Sequence, residues 1–240
     1  MRALRKLQPG QNSMEVVEVP VPEPGAGEVR IAVFAAGMCG TDLHIIDGTY
    51  PASPPVTLGH EIAGVVEAVG PGVADDWIGV RVAPEPAVGC GRCEWCDGGY
   101  PMHCRERVST GTHVDGGFAP QVIVPARNLH ALPDLLSDHA GALVEPLACV
   151  CNALLDPSAI SFGDRVVVTG PGTIGILAAQ VAMAAGAETT LIGLTRDAPR
   201  LAIASDIGLD ARSLDDPKTL ASFSSEVQER RINTVIECAG

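Results

Sequence analysis

The sequence predicts two successive domains, a partly open β-barrel followed by an α/β domain built on a doubly wound parallel sheet. Up to about Leu155, short apolar runs are separated irregularly by glycine, proline and loops that carry cysteine and histidine, which is typical of antiparallel strands. After Leu155, β-branched runs alternate with segments of helical length, which indicates parallel strands joined by helices. We therefore assign residues 1–155 to the first domain and residues 156–240 to the second.

The individual elements follow from apolar runs and their stop signals. In the first domain, three strands are predicted, at residues 31–36, 62–69 and 121–124. In the second domain, apolar runs predict strands at 165–169, 189–192 and 232–237. Helices are predicted at 174–185, 199–207 and 216–230, where glycines are placed as helix stops and a proline takes a first helical position.

Composition narrows the possible functions. The chain has 240 residues, of which 46% are hydrophobic, and a formal net charge of −13. This charge argues against a nucleic-acid partner, because phosphate binding needs clustered Lys and Arg. No apolar run approaches the roughly 18 residues of a membrane span, and no signal peptide is visible. We expect a cytoplasmic protein, where thiols stay reduced, so the eight cysteines call for an explanation other than disulfides.

Four of these cysteines are closely spaced in a glycine-rich loop. Their spacing, C-x2-C-x2-C-x7-C, places four thiolates within reach of one ion: Cys90, Cys93, Cys96 and Cys104. Four sulfurs complete a tetrahedral shell with no open position, which predicts a structural zinc site. Disulfides and an iron–sulfur cluster are the alternatives.

A second set of ligand-type residues lies at the ends of strand-like segments. Cys39, His60 and Glu61 offer one sulfur, one nitrogen and one oxygen ligand. Three protein ligands leave a position open for water or substrate, as a catalytic zinc requires. The pattern therefore predicts a catalytic zinc site, distinct from the four-cysteine site.

A glycine turn follows the strand at 165–169 and opens a helix. It reads G-x-G-x-x-G, with Gly170, Gly172 and Gly175 enclosing Thr173 and Ile174. In this context the motif predicts a dinucleotide site, because it permits a tight turn and close approach of a pyrophosphate. An acid that would bind the ribose of NAD is expected about 20 residues on, but the chain has Thr195 and Arg196 there, with Asp197 nearby. An uncharged slot beside Arg196 favours NADP(H) over NAD(H).

Taken in order, the motifs resemble those of a known family. They are C-G-T-D-L-H at residues 39–44, G-H-E at 59–61, the four-cysteine lobe, V-E-P-L-A at 144–148 and the glycine turn. This set is similar to that of the zinc-containing medium-chain dehydrogenase/reductase family, and among its members most to the polyol, or sorbitol-type, dehydrogenases. The resemblance implies a GroES-like first domain, a Rossmann second domain, and a homodimer or homotetramer.

The resemblance also implies roles for single residues. Cys39 and His60 match the ligands of the catalytic zinc, and either Glu61 or Glu145 matches the acid that completes the set. Asp42 matches a carboxylate that orients the zinc-binding histidine, which fixes its tautomer. The residues that match the relay carrying the alcohol proton toward solvent are Thr41 and His44.

The implied reaction is hydride transfer between a secondary alcohol or polyol and a nicotinamide cofactor. A threonine- or sugar-type dehydrogenase of the same family is an alternative, and a truncated, non-enzymatic zinc-binding paralogue is another. The family's pattern continues beyond a point corresponding to Gly240. We therefore expect the second domain to be incomplete in this sequence, with an unpaired sheet edge.

Overall fold

The computed structural model describes residues 1–11 and 13–239; Asn12 and Gly240 lie outside the described residues. The chain forms two compact units, Met1–Glu145 and Pro146–Gly240. The division falls inside the helix Val144–Leu155, earlier than the predicted boundary after residue 155. The reason is packing: Val150 and Leu154 of this helix belong to the hydrophobic core of the second unit.

The first unit is built from antiparallel strands. Five strands form one sheet in the order β10-β6-β5-β3-β9, three form a second in the order β2-β1-β4, and β7 pairs with β8. The strands are β1 (Arg2–Lys6), β2 (Met14–Glu18), β3 (Glu28–Gly37), β4 (Val56–Thr57), β5 (Glu61–Val69), β6 (Arg81–Pro84), β7 (Ala87–Val88), β8 (Val108–Ser109), β9 (Gln121–Pro125) and β10 (Leu129–Ala131). Its short helices are α1 (Gly40–Ile46), α2 (Glu94–Asp97) and α3 (Asp138–Gly141), and α4 (Val144–Leu155) follows.

The core of the five-stranded sheet explains why these runs form strands. Alternate residues of β3, Val29 and Ile31, are fully buried, and Ile62 and Val66 of β5 face the same cluster. Successive side chains of a strand point to opposite faces, so this spacing fills one face with branched residues. Burying each such side chain contributes about 1.5–3 kcal/mol. The three strands predicted in this half are present as β3, β5 and β9.

The second unit is a parallel sheet flanked by helices. Its strands lie in the order β13-β12-β11-β14, and every pair is parallel. Its elements are β11 (Arg165–Thr169), α5 (Thr173–Ala184), β12 (Glu188–Gly193), α6 (Ala198–Asp206), β13 (Asp210–Ser213), α7 (Pro217–Glu229) and β14 (Thr234–Glu237). The antiparallel unit followed by a parallel α/β unit confirms the predicted fold class.

One strand of this sheet is absent from the prediction. β13 has the sequence Asp-Ala-Arg-Ser, with no buried residue. It therefore lacks the apolar signal by which a strand is recognised. Its register with β12 places Ser213 opposite Gly193, at the carboxyl end of the sheet.

The helices are short. Among the described residues the longest is α7, with 13 residues, and none is both long and apolar enough to cross a lipid bilayer.

Candidate metal centres and nucleotide-binding turn

The four-cysteine loop closes around a single point. The sulfurs of Cys90, Cys93, Cys96 and Cys104 all lie within 4.8 Å of one another, and the Cys93 and Cys96 sulfurs are 3.6 Å apart. Zn–S bonds of about 2.3 Å in a tetrahedron require sulfur separations of about 3.8 Å. All eight cysteines are free thiols, so the disulfide alternative is not the arrangement seen. The four sulfurs fit a tetrahedral metal.

This loop, which we call the cysteine lobe (residues 89–106), has almost no apolar core. None of the four buried clusters of the described chain includes a residue from 89 to 103. Its large side chains point outward instead: Trp95, Tyr100 and Met102 are 42%, 62% and 57% exposed. Turn hydrogen bonds and the bond that Arg127 donates to the Gly89 carbonyl act on the lobe. Because hydrophobic burial is missing here, ligation of an ion by the four sulfurs would be the main further interaction that holds it.

Two thiols of the lobe differ strongly in pKa. A hydrogen bond from the Cys90 backbone N–H, 3.4 Å from the Cys104 sulfur, is the main cause that lowers the pKa of Cys104 to about 7. The Cys96 backbone N–H lowers the pKa of Cys93, but burial and the neighbouring sulfurs outweigh it and raise this pKa to about 11. Neighbouring thiols that interact this closely lose their protons at different pH values, and metal binding requires them as thiolates.

The second ligand set is assembled across two paired strands. β3 ends at Gly37, and Cys39, two residues further on, is the N-cap of α1. His60 precedes β5 and Glu61 is its first residue. Because β3 and β5 run antiparallel with Gly37 opposite Glu61, the two segments meet at one end of the sheet. The ligand atoms of Cys39, His60 and Glu61 lie within 4.8 Å of one another.

Gly37 makes room for the carboxylate of this set. A Cβ atom at Gly37 would lie 2.0 Å from Oε2 of Glu61, far inside van der Waals contact. Any larger residue would therefore displace the Glu61 side chain. This role of Gly37 has no signal in the sequence, because it depends on the register of β3 against β5.

Asp42 joins the two halves of the site. Its Oδ2 accepts the backbone N–H of Cys39 at 2.9 Å, and its Oδ1 accepts that of Gly59 at 3.3 Å. The same Oδ1 lies 3.7 Å from Nδ1 of His60. Asp42 is fully buried. His60 Nδ1 is also buried and has no hydrogen-bond partner within the described chain, so Asp42 is the group that this ring nitrogen faces.

Charge at this site is strongly unbalanced without a cation. Burial lowers the pKa of His60, but Cys39, Asp42 and Glu145 outweigh it and raise that pKa to about 9. The pKa of the Cys39 thiol is lowered, mainly by its hydrogen bond with His60. The pKa of Glu61 is raised, first by burial and further by the charge of Glu145. Several acidic groups thus surround one imidazole, and a divalent cation would balance them. The residues fit zinc.

The two residues of the predicted relay lie on α1. Oγ1 of Thr41 is 3.7 Å from the sulfur of Cys39, beside the ligand set. His44 is exposed, and its Nδ1 lies 3.5 Å from Oγ1 of Thr49. No hydrogen bond within the described chain joins Thr41 to His44, so the relay stays a prediction.

The glycine turn links β11 to α5 in the second unit. Gly170 has a φ of +86° and its Cβ would lie 2.6 Å from the backbone of Ala239. A Cβ at Gly175 would lie 1.9 Å from the carbonyl oxygen of Gly170, so these two glycines are needed for folding. Gly172, the N-cap of α5, has nothing within 4 Å of a Cβ position. Thr173 and Ile174 begin the helix there, and the open space lies where a pyrophosphate would approach.

The predicted cofactor-discriminating residues follow β12. Thr195 and Arg196 form a single 3-10 turn with Asp197, and both are exposed. Sequence reasoning missed a neighbour: Asp215, just after β13, accepts hydrogen bonds from Thr195 and Ser213. The only signal that could have found it was recognition of β13 as a strand, which its polar sequence conceals.

Comparisons with known proteins agree with this architecture. Residues 25–134 match the alcohol dehydrogenase GroES-like domain. The chain is 40% identical over 242 residues to the sorbitol dehydrogenase of Halalkalibacterium halodurans, covering 100% of this chain and 70% of the relative.

Two solved structures extend the comparison. One is a zinc-binding dehydrogenase of Sinorhizobium meliloti, solved with NADP, to which the chain is 37% identical with a TM-score of 0.84. The match includes 100% of this chain and 70% of that protein. An alcohol dehydrogenase of Escherichia coli CFT073, solved with NADH, has a TM-score of 0.83 at 32% identity and is covered to 69%.

The fold, the metal-ligand sets and the glycine turn together define a class of protein, the oxidoreductases that combine a metal with a dinucleotide. The chain belongs to the zinc-dependent medium-chain alcohol and polyol dehydrogenases, and its two units are the GroES-like and Rossmann parts of that architecture. It spans 70% of the length of the sorbitol dehydrogenase and 70% and 69% of the lengths of the two solved dehydrogenases.

Proposed function

We propose that the protein oxidises a secondary alcohol or polyol with a nicotinamide cofactor, NADP or NAD, using one catalytic and one structural zinc ion. The observation that carries the proposal is the convergence of Cys39, His60 and Glu61 at one end of the β3–β5 pair. This set is open, whereas the cysteine lobe supplies four sulfurs and leaves no position free. The two sites thus differ in the way that catalytic and structural zinc sites differ.

The residues of the open site have distinct tasks. Cys39, His60 and either Glu61 or Glu145 would hold the zinc ion, which supplies a Lewis acid that polarises an alcohol oxygen. Asp42, facing Nδ1 of His60, orients the imidazole and leaves its other nitrogen for the metal. In the predicted relay, Oγ1 of Thr41 would accept the alcohol proton as it gives up its own hydroxyl proton toward His44, and His44, which is exposed, would release a proton to solvent.

The glycine turn would hold the dinucleotide in the second unit. The pyrophosphate would accept hydrogen bonds from backbone N–H groups at the start of α5, where Thr173 and Ile174 follow Gly172, and the helix dipole would favour its negative charge. Thr195 and Arg196 lie at the end of β12, where the adenosine ribose is bound in this fold. We place the protein in the cytoplasm, where its ligand thiols stay reduced, as a homodimer or homotetramer.

Metal content tests the two-site proposal. We expect two zinc ions per chain by elemental analysis, one of which a chelator removes quickly with complete loss of activity. One tightly held zinc ion, with no change in NADH or NADPH fluorescence, would instead identify a non-enzymatic zinc protein.

A substrate screen tests the reaction. Polyols, L-threonine, sugars and simple secondary alcohols, each offered with NAD and with NADP, should show highest kcat/KM for a polyol or secondary alcohol. Preference for threonine or a sugar would move the protein to the alternative substrate class without changing the reaction type.

A matched pair of glycine variants tests the nucleotide site. Gly172→Ala adds a methyl group to open space, so the protein should fold normally while the Kd for NADH rises about tenfold, because the methyl group blocks the close approach of the pyrophosphate. Gly175→Ala instead meets the Gly170 carbonyl and should lower the free energy of unfolding by about 1–3 kcal/mol. Equal nucleotide affinity in wild type and Gly172→Ala would contradict the assignment of the turn.

A further inference from the structure

A carboxylate and two hydroxyl groups converge at the carboxyl ends of β12 and β13. Oδ1 of Asp215 accepts three hydrogen bonds: from the backbone N–H of Thr195 at 2.8 Å, from Thr195 Oγ1 at 2.7 Å and from Ser213 Oγ at 2.6 Å. The Thr195 and Ser213 hydroxyl oxygens are themselves 3.3 Å apart. Ser213 is the last residue of β13, and Thr195 and Asp215 lie in the two loops that follow β12 and β13, so the pairing of these neighbouring strands brings the cluster together.

The cluster lies beside the glycine turn. A Cβ at Gly193, the last residue of β12, would be 2.8 Å from Cγ of Pro171 in that turn, and Thr195 follows Gly193 after one residue. Ligands of open α/β sheets bind at the carboxyl ends of the strands, and the adenosine ribose of a dinucleotide lies at the end of the strand next to the glycine turn. Asp215 is thus a neighbour of the ribose position.

Hydrogen bonding to Asp215 changes what this position can bind. Thr195 has one hydroxyl proton and one backbone N–H, and it donates both to Asp215. Neither donor is then available to a phosphate. A 2′-phosphate carries about two negative charges near neutral pH, so the Asp215 carboxylate would repel it. The 2′-hydroxyl group of NAD, by contrast, can donate a hydrogen bond to a carboxylate.

Asp197 is a second acid near Thr195 and Arg196, and its position gives it a different role. Its Oδ2 accepts the backbone N–H of Leu194 at 3.0 Å, and its Oδ1 is 3.8 Å from the Arg200 guanidinium. It closes its own turn, and Arg200 offsets its charge. Arg196 is an opposing charge that would favour a 2′-phosphate, and both it and Asp215 are exposed to water, where screening weakens both interactions. They differ in order: three hydrogen bonds hold the Asp215 carboxylate in place, whereas no hydrogen bond or ion pair within the described chain holds the Arg196 guanidinium.

We propose that Asp215 is the residue that sets the cofactor preference, and that it directs this protein toward NAD(H) rather than NADP(H). The inference rests on the proposed function, because it assumes that the glycine turn binds a dinucleotide. It reverses the preference that the sequence alone favours, since the slot beside Arg196 contains a carboxylate contributed by the next strand. The structures of relatives include one solved with NADP and one with NADH, so family membership does not settle the preference.

The test compares two variants that lose the same charge at adjacent positions. Asp215→Asn keeps an oxygen that can accept the Thr195 and Ser213 hydrogen bonds while removing the negative charge. Asp216→Asn is the matched control, because Asp216 caps α7 by accepting the Thr219 N–H at 2.8 Å and asparagine caps helices equally well. Binding of NADH and of NADPH to the purified protein is measured by fluorescence titration at fixed ionic strength.

We expect wild type to bind NADH more tightly than NADPH. Asp215→Asn should shift the ratio of the two Kd values toward NADPH by about tenfold, the size of one charge interaction near a protein surface, and Asp216→Asn should shift it less than twofold. An unchanged ratio in Asp215→Asn, an equal shift in the control, or a wild-type preference for NADPH would overturn the inference. Failure of wild type to bind either nucleotide would instead overturn the proposed function.

Discussion

The two candidate metal-ligand sets of this protein are built in opposite ways. The cysteine lobe draws its four ligands from a span of 15 residues, from Cys90 to Cys104, and has almost no hydrophobic core. The open set draws Cys39 from the end of β3 and Glu61 from the start of β5. It lies against a fully buried carboxylate, Asp42, and next to a sheet whose core forms without any metal.

The difference suits the cysteine lobe to stabilising the chain and the open set to chemistry. Where the fold around a site is already held by buried side chains, ligand geometry can be left incomplete, and the open position is available for a substrate. Where there is no core, all ligand positions are used to hold the chain. Each site should therefore respond differently when one ligand is removed.

The largest effect is expected when one ligand is removed from each site. Cys39→Ser should remove one of two zinc ions and lower kcat/KM by about 10³-fold or more, since the Lewis acid is lost. Its free energy of unfolding should change by less than about 1 kcal/mol, because the β3–β5 core is intact. Zinc analysis, steady-state kinetics and urea unfolding provide the three measurements.

Cys96→Ser is the counterpart in the cysteine lobe. It should also remove one zinc ion, but hydrogen exchange of residues 89–106 should become fast and unfolding should begin at lower denaturant concentration, because ion ligation is what holds the lobe. If the two serine variants had the same effect on activity and on stability, the contrast between the sites would be wrong.

A smaller effect is expected from the carboxylate behind the histidine. Asp42→Asn should weaken zinc binding at the open site by about 10–100-fold, because the imidazole loses the acceptor that fixes its orientation, and it should leave the cysteine lobe loaded. The control is Asp138→Asn, which removes an exposed carboxylate paired with Arg81 at 2.8 Å. Competition with a chromogenic chelator measures both affinities. Loss of zinc from both sites of Asp42→Asn would show unfolding, not loss of orientation.

The finest distinction concerns the space around Glu61. Gly37→Ala puts a methyl group 2.0 Å from Oε2 of Glu61, whereas a methyl group at Gly40 meets nothing within 4 Å. We expect Gly37→Ala to lower zinc affinity of the open site about tenfold through displacement of that carboxylate, at a cost in stability of about 1–3 kcal/mol. Gly40→Ala should match wild type in chelator competition. Equal zinc affinity in both variants would mean that Glu61 does not bind the ion, which would favour Glu145.

Apolar patterning was enough to predict most of the second unit. The runs at 165–169 and 189–192 are present as β11 and β12, and the helices at 174–185 and 199–207 as α5 and α6, each displaced by no more than one residue. β13 was missed because none of its four residues is fully buried and its sequence is largely polar. It forms a strand only because β12 offers it a parallel partner. Such pairing cannot be predicted from the hydrophobic pattern of the sequence.

The candidate metal ligands, which the structure brings together, and the glycine turn could be predicted from the sequence because the chemistry proposed for them depends on residue type and local spacing. Thiolates two residues apart can share an ion whatever surrounds them, and a glycine turn after a strand has one geometry. Tertiary structure alone decided the rest. The register of β3 on β5 set Gly37 against Glu61, and the pairing of β12 with β13 brought Asp215 to Thr195. Both contacts join residues about 20 positions or more apart, which only strand pairing brings together.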